Sequence, residues 1–282
     1  MAELIVGTAG TIEALFADDE DPVDADADVT VTVVDAFGTE VVAATTATNT
    51  DVGTYTVDVG PLTDPARLTA TWTGTFAGTA RSTVTGTDVI GSHIITVAEL
   101  RNRDSLGDID RTPIDQLRRA RTQFRTMAAN HIGAPIVPTY VLVDAVGTGS
   151  AVLPLPRLTT QVLEASIDDE PVTDTITVTP SGYAMLETTT WTYGATITVG
   201  AVAGMDPTPA ELTDAAGEWI EWRLARSRSG LVDPRATSVT SDQGTFRLST
   251  PGGSTGRGAP TLTGLPQVDA TLNSYRYVTA GR

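Results

Sequence analysis

Between residues 29 and 85 apolar and polar positions alternate in short runs: VTVTVV at 29–34, GTYTVDV at 53–59, RLTATWT at 67–73 and TARSTVT at 79–85. Period-two alternation with β-branched residues predicts strands buried on one face. Turn-forming clusters separate the runs: Asp35-Ala36-Phe37-Gly38, Asn49 to Gly53, Gly60-Pro61 and Phe76-Ala77-Gly78. A different period comes next. Ile114, Leu117, Ala120, Phe124, Ala128 and Ile132 recur at helical spacing and Gly133 closes the run. Thr112-Pro113 opens it, so a helix over 113–132 is predicted.

With weaker strands near 3–8, 12–16 and 40–47, about seven short strands predict an immunoglobulin-like sandwich over residues 1–92. Thr fills 20 of these 92 positions, which suits exposed strand faces. Trp72 and Tyr55 are its expected core aromatics. Thr96-Val97-Ala98-Glu99 has the spacing of a capping box, predicting a short helix over 97–103. Residues 134–204 return to strand patterns and predict a β-insertion of five or six strands. Thr208-Pro209-Ala210-Glu211 starts a second long helix, 209–228, with Gly230 as its stop. Leu212, Ala215, Trp219, Trp222 and Arg226 share one face of it. Trp219 and Trp222 at that spacing are core or subunit-interface residues before they are a ligand-stacking pair. The expected fold class is α+β multidomain: the sandwich at 1–92, a helical domain with a β-insertion at 93–248, and a flexible linker and C-terminal arm at 249–282.

Composition narrows the chemistry. The 282 residues include no Cys and no Lys; all 18 basic residues are Arg, and only His93 and His131 are histidines. Disulfides, thiol nucleophiles, thiolate metal sites, Schiff-base lysines and phosphate-loop lysines are therefore excluded. No Ser/His/Asp, metal-ligand or paired-carboxylate spacing stands out, so neither an enzyme nor a cofactor is expected. Net charge is −17, which argues against a free nucleic-acid binder. No apolar run approaches the ~20 residues of a membrane span. MAELIVGTAG has no basic region before an apolar core, so synthesis in the cytoplasm is expected.

Three segments admit a sharper function. Asp24, Asp26 and Asp28 have the spacing that starts a calcium loop, but Val29 stands where such a loop needs Gly, so an acidic inter-strand loop is expected. Arg118, Arg121 and Arg125 fall on one flank of the first long helix. They form either a stripe facing an acidic partner or DNA, or a solvated edge partly paired with carboxylates of a neighbouring subunit. Beyond the Gly/Ser/Pro-rich stretch 249–260, Val268, Leu272 and Tyr275 sit at i, i+4 and i+7 and predict an amphipathic helix. Such a helix docks on a partner subunit or packs back on its own domain.

The order of motifs from 96 to 277 resembles the head-to-tail adaptor proteins of long-tailed phages of actinobacterial hosts. The stretches that carry it are TVAEL with PIDQLRRARTQF, ATITVGAVAGMDPTPAELTDAAGEWIEWRLARSRSG, DPRATSVTSDQGTFRLSTPG and GLPQVDATLNSYRY. Together they span about two thirds of the chain, and the sandwich lies outside them. The resemblance implies a homo-oligomeric ring, commonly a dodecamer, that binds the portal protein, extends the DNA channel and carries later neck or tail proteins. DNA would pass through it without specific binding, and no membrane is involved. Family C-terminal segments reach the portal, which implies portal or neighbour-subunit contact for Leu265, Val268, Leu272, Tyr275, Arg276 and Tyr277. Arg118, Arg121 and Arg125 would then be an inter-subunit or channel stripe. The alternative is a virion-surface protein that binds carbohydrate or host through the sandwich, with Trp72, Phe76 and Tyr55 as stacking rings.

Overall fold

The computed structural model describes residues 3–103, 105–172, 175–179, 182–229, 238–241, 244–247 and 262–276, with backbone alone at 225–229, 238–241 and 244–247. The chain divides into two compact units, Met1–His93 with Val137–Asp206, and Ile94–Ile136 with Pro207–Arg282. The first is built of strands and the second carries the helices, so the fold is mixed and strand-dominated.

In the first unit the N-terminal strands are β1 (Glu3–Ile5), β2 (Gly10–Leu15), β3 (Ala17–Asp18), β4 (Asp21–Pro22), β5 (Thr30–Val34), β6 (Glu40–Thr46), β7 (Thr48–Asp51), β8 (Thr54–Val59), β9 (Ala66–Phe76) and β10 (Thr79–Ile90). They make two facing sheets. One runs β6-β5-β9-β10, with β1 added parallel to the end of β10; the other runs β2-β8-β7. Alternation sets what faces inward. Ile12 and Ala14 of β2, Tyr55, Val57 and Val59 of β8, Val31 and Val33 of β5, and Leu68, Ala70 and Trp72 of β9 form one buried core. Phe16 stacks on Phe76 at 4.5 Å and meets Tyr55 edge-on at 5.7 Å, a favourable quadrupole arrangement. The Trp72 indole N–H donates to Thr85 Oγ1 at 2.9 Å, so the largest core side chain leaves no polar atom unpaired.

The insertion strands are β11 (Thr139–Val146), β12 (Val152–Pro154), β13 (Thr159–Ile167), β14 (Glu170–Pro171), β15 (Ile176–Val178), β16 (Tyr183–Leu186) and β17 (Thr196–Ala203). They do not join the helices, as the sequence-based division at 92/93 had it. β11 pairs with β10 at Ile90 and Thr139, and the sheet continues as β11-β17-β13-β14. The junction is a single residue pair just past the end of β9, and β1 pairs with Asp88–Ile90 on the other side of β10. A three-stranded sheet, β12-β16-β15, lies over its far half, and Leu153, Ala184, Leu186 and Trp191 pack there against Ile197, Val199 and Ala201. Sequence patterning located five of these strands but not the two-residue β14 or β16, whose run Tyr183–Leu186 carries no β-branched residue.

The second unit contains α1 (Val97–Arg101), α2 (Ile114–Ile132), α3 (Ala210–Ser229), the hairpin β18 (Ser238–Ser241) and β19 (Gly244–Arg247), and α4 (Pro266–Ser274). The capping box forms: Glu99 N–H donates to Thr96 Oγ1 at 3.1 Å, and Thr96 N–H donates to Glu99 Oε2 at 2.7 Å. The Thr96 N–H, and after it the Thr96 hydroxyl that donates to the same oxygen at 2.8 Å, hold the Glu99 carboxyl below its ordinary range. Thr96→Ala is expected to cost about 1 kcal/mol in chemical denaturation and to raise the Glu99 pKa only part of the way to its ordinary value, because the amide of residue 96, the larger cause, remains. α1 ends two residues short of expectation, at Arg101, whose guanidinium donates to the carbonyls of Leu106, Asp108 and Thr112. Gly133 closes α2 at φ 82°, the left-handed cap that glycine supplies without strain. The expected linker at 249–260 and the stop at Gly230 lie outside the described residues.

Candidate functional site

The C-terminal helix is the strongest sequence-derived candidate. Pro266 opens α4, and Thr263 fixes its start: the Thr263 hydroxyl donates to Asp269 Oδ1 at 2.7 Å and accepts the Leu265 N–H at 3.1 Å. The apolar face then packs within its own unit, against α2 and α3. Val268 and Leu272 are fully buried. His131 Nε2 meets Asn273 Oδ1 at 2.8 Å, and the Tyr275 hydroxyl donates to Glu211 at 3.2 Å. Of the two placements open from sequence, the fold adopts packing on the chain's own domain. Val268 and Leu272 are therefore not offered to a portal or neighbour. Leu265 and Tyr275 are half-buried, Arg276 is exposed, and Tyr277 lies outside the described residues. Burying an apolar face inside one's own unit and burying it on a partner obey the same driving force, so sequence alone left the choice open.

The arginine stripe is split. Arg118 is exposed and pairs with Asp115 at 3.5 Å; Arg125 is half-buried; Arg121 is buried. At about 100° per residue, Arg121 falls between Ala128 and Ile132 on the helix circumference, inside the apolar arc. The three arginines thus do not present one surface. Trp219 and Trp222 also part. Trp219 is buried against Phe124, centroids 5.7 Å apart, with Arg223 4.9 Å over its ring, while Trp222 is half-buried.

The sandwich offers no stacking platform through the rings named for it. Trp72, Phe76 and Tyr55 are all core. The Tyr55 hydroxyl accepts the Ala25 N–H at 2.7 Å and ties the acidic segment down. That segment folds as an inter-strand loop. Asp24 Oδ1 accepts from Gly53 N–H at 2.8 Å and Asn49 Nδ2 at 3.0 Å, and Asp26 Oδ2 accepts from Gly78 N–H at 2.7 Å. The Gly53 amide, then Asn49, lower the Asp24 pKa. These carboxylates serve as loop staples. Among the described residues no group of three His, Asp or Glu side chains is placed to hold a metal ion.

One cluster escaped the sequence. Tyr140 of β11 donates its hydroxyl to Glu164 of β13 at 3.4 Å, across Gly200 of β17. A Cβ at Gly200 would lie 2.5 Å from the Tyr140 hydroxyl and 2.9 Å from Phe37, so only glycine admits both rings. A lone Gly inside the β-branched run TITVGAVA was the available signal. Burial, then the nearby Asp35 charge, raises the Glu164 pKa, against the Tyr140 hydrogen bond. Burial and Glu164 push the Tyr140 phenol well above its ordinary value, with Asp35 adding and Arg67 opposing. A carboxyl raised in the fold stabilises below its unfolded pKa, and that stabilisation is lost as pH rises through the folded value. Glu164→Gln should therefore leave stability unchanged near pH 4 and raise it at pH 7. Denaturation midpoints of both proteins across that range check this; a variant less stable at pH 7 contradicts it.

Among the described residues no metal-ligand set includes the Tyr140–Glu164 pair, whose geometry is that of a packing contact. Among the described residues no helix is long and apolar enough to cross a membrane. Comparison with known proteins finds no matching family model and no matching curated protein.

Proposed function

We propose that the chain is a structural virion protein of a phage neck: a homo-oligomeric ring, of adaptor type and dodecameric, that joins the portal vertex to the tail and extends the DNA channel. The observation that carries this is the meeting of remote motifs. α2 from PIDQLRRARTQF, α3 from AELTDAAGEWIEWRLARSRS and α4 from PQVDATLNS pack in one unit, although up to 160 residues separate them. These are three of the stretches on which the adaptor resemblance rests. In this reading the unit is the adaptor domain, and α4 locks it closed. Portal contact falls to Leu265, Arg276 and Tyr277. A downstream neck or tail-completion protein docks on the ring, and the protein performs no chemistry.

The N-terminal part is, in the same reading, an immunoglobulin-like domain. Its sheets β6-β5-β9-β10 and β2-β8-β7, with β1 parallel to β10, follow the Greek-key order of such sandwiches. It would face outward from the neck. The carbohydrate-binding alternative loses its support, because the rings it needs are buried.

Immunogold electron microscopy of intact virions, with antibody raised against the full chain, tests the proposal. Gold confined to the head–tail junction is expected. Gold along the tail or at its tip, or its absence from virions whose denatured protein the antibody detects, overturns it.

A further inference from the structure

In the first unit, the outer face of the β12-β16-β15 sheet is apolar and exposed. Val152 pairs across strands with Met185, and Pro154 with Tyr183. Their alternate neighbours Leu153, Ala184 and Leu186 are buried, so these four point outward. Met185 is 36% exposed and Tyr183 40%. The paired strands present no charge on this face, which also carries Thr177 opposite Met185. An exposed apolar sheet face of this kind marks an interaction surface.

Charge selects the occupant. The strand unit holds 23 Asp/Glu against 3 Arg, net −20; the helical unit holds 12 against 15, net +3. Two strand units brought face to face would set −20 against −20, which opposes an isologous contact. The helical unit is the part of the chain that escapes this repulsion, and it displays its own apolar corner at the start of α2. Ile109 is 71% exposed and Ile114 44%. Beside them Arg111 pairs with Asp108 at 3.1 Å and Arg118 with Asp115 at 3.5 Å.

We infer that the Val152/Met185/Tyr183 face of one copy receives the Ile109/Ile114 corner of a second copy. The inference rests on the ring reading for its choice of a second copy as partner. The contact joins unlike surfaces, so it is heterologous and propagates around a ring instead of closing as a dimer.

The cysteine-free chain allows a direct test. Full-length single variants Met185→Cys and Ile109→Cys, one isotope-labelled, are mixed and oxidised, and disulfide-linked peptides are identified by mass spectrometry. The mixed 109–185 link is expected in about tenfold excess over either homodimer, the enrichment that a preferred geometry gives over random collision. Predominance of 185–185 links overturns the inference in favour of an isologous face. A mixed link no more abundant than that formed by Val84→Cys, on another exposed strand face, also overturns it. Sedimentation of the full chain is expected to show multimers that Tyr183→Asp, at a solvent-facing position that tolerates charge, abolishes; multimers that it leaves unchanged count against the surface. Gold at the neck without a 109–185 link refutes this surface and leaves the neck role standing. The link without gold at the neck does the reverse.

Discussion

Leu272→Asp is expected to release α4 from the helical unit. Leu272 is fully buried against helices of its own unit, and an ionised carboxylate there has no partner to replace lost hydration. The expected loss is about 3 kcal/mol or more. The contacts that hang on the helix should fail together: Val268 in the core, His131 with Asn273, and Tyr275 with Glu211. Hydrogen exchange reads this directly, with the amides of 266–274 losing protection. The Tyr275 phenol gives a second readout. Burial, then Glu211, now raises its pKa, and it should fall back to the ordinary tyrosine value on release. Leu272→Met, which conserves volume, should cost less than about 1.5 kcal/mol and keep the helix protected. Protection retained at 266–274 in the Asp variant would show that α4 is held by something other than this face. The same variant bears on function, because an adaptor domain closed by α4 should fail to reach the neck once the helix is loose.

Trp72→Ala should be the most damaging single truncation in the sandwich. The ring is wholly buried between the two sheets, and its N–H is satisfied by Thr85. Losing it removes the transfer free energy of the indole and leaves a cavity that β-sheets on both sides cannot close, at about 3–5 kcal/mol. Trp72→Phe keeps most of the apolar volume and should cost clearly less, the difference reflecting the lost hydrogen bond and the smaller void. Urea denaturation of the three proteins distinguishes the cases. A loss below about 1 kcal/mol for the Ala variant would mean that the core is not organised around this residue.

Local order was legible wherever one residue's neighbours in sequence are also its neighbours in space. The period-two runs at 29–34, 53–59 and 67–73 became β5, β8 and β9 with the expected faces inward. Thr96 and Glu99 closed the capping box, and Gly133 ended α2, because caps are decided within one helical turn. The helical period at 268 and 272 became the buried face of α4. Asp24 and Asp26, lacking a glycine where a calcium loop needs one, became staples of their loop.

What the sequence could not decide was always a choice between partners that satisfy the same local pattern. An amphipathic helix is equally content on its own domain or on a neighbour, and only the tertiary fold placed α4 on α2 and α3. A strand's alternation says which face is buried but not which strand it joins, so the junction of β11 with the end of β10 was invisible. A charged residue three positions from another reads as part of a stripe until the width of the apolar arc is known, and that width buried Arg121. The Tyr140–Glu164 cluster needed three strands from different parts of the chain to be laid side by side over Gly200. Periodicity and capping are set by backbone geometry that every sequence shares, whereas pairing is set by which surfaces meet, and that is a property of the folded chain alone.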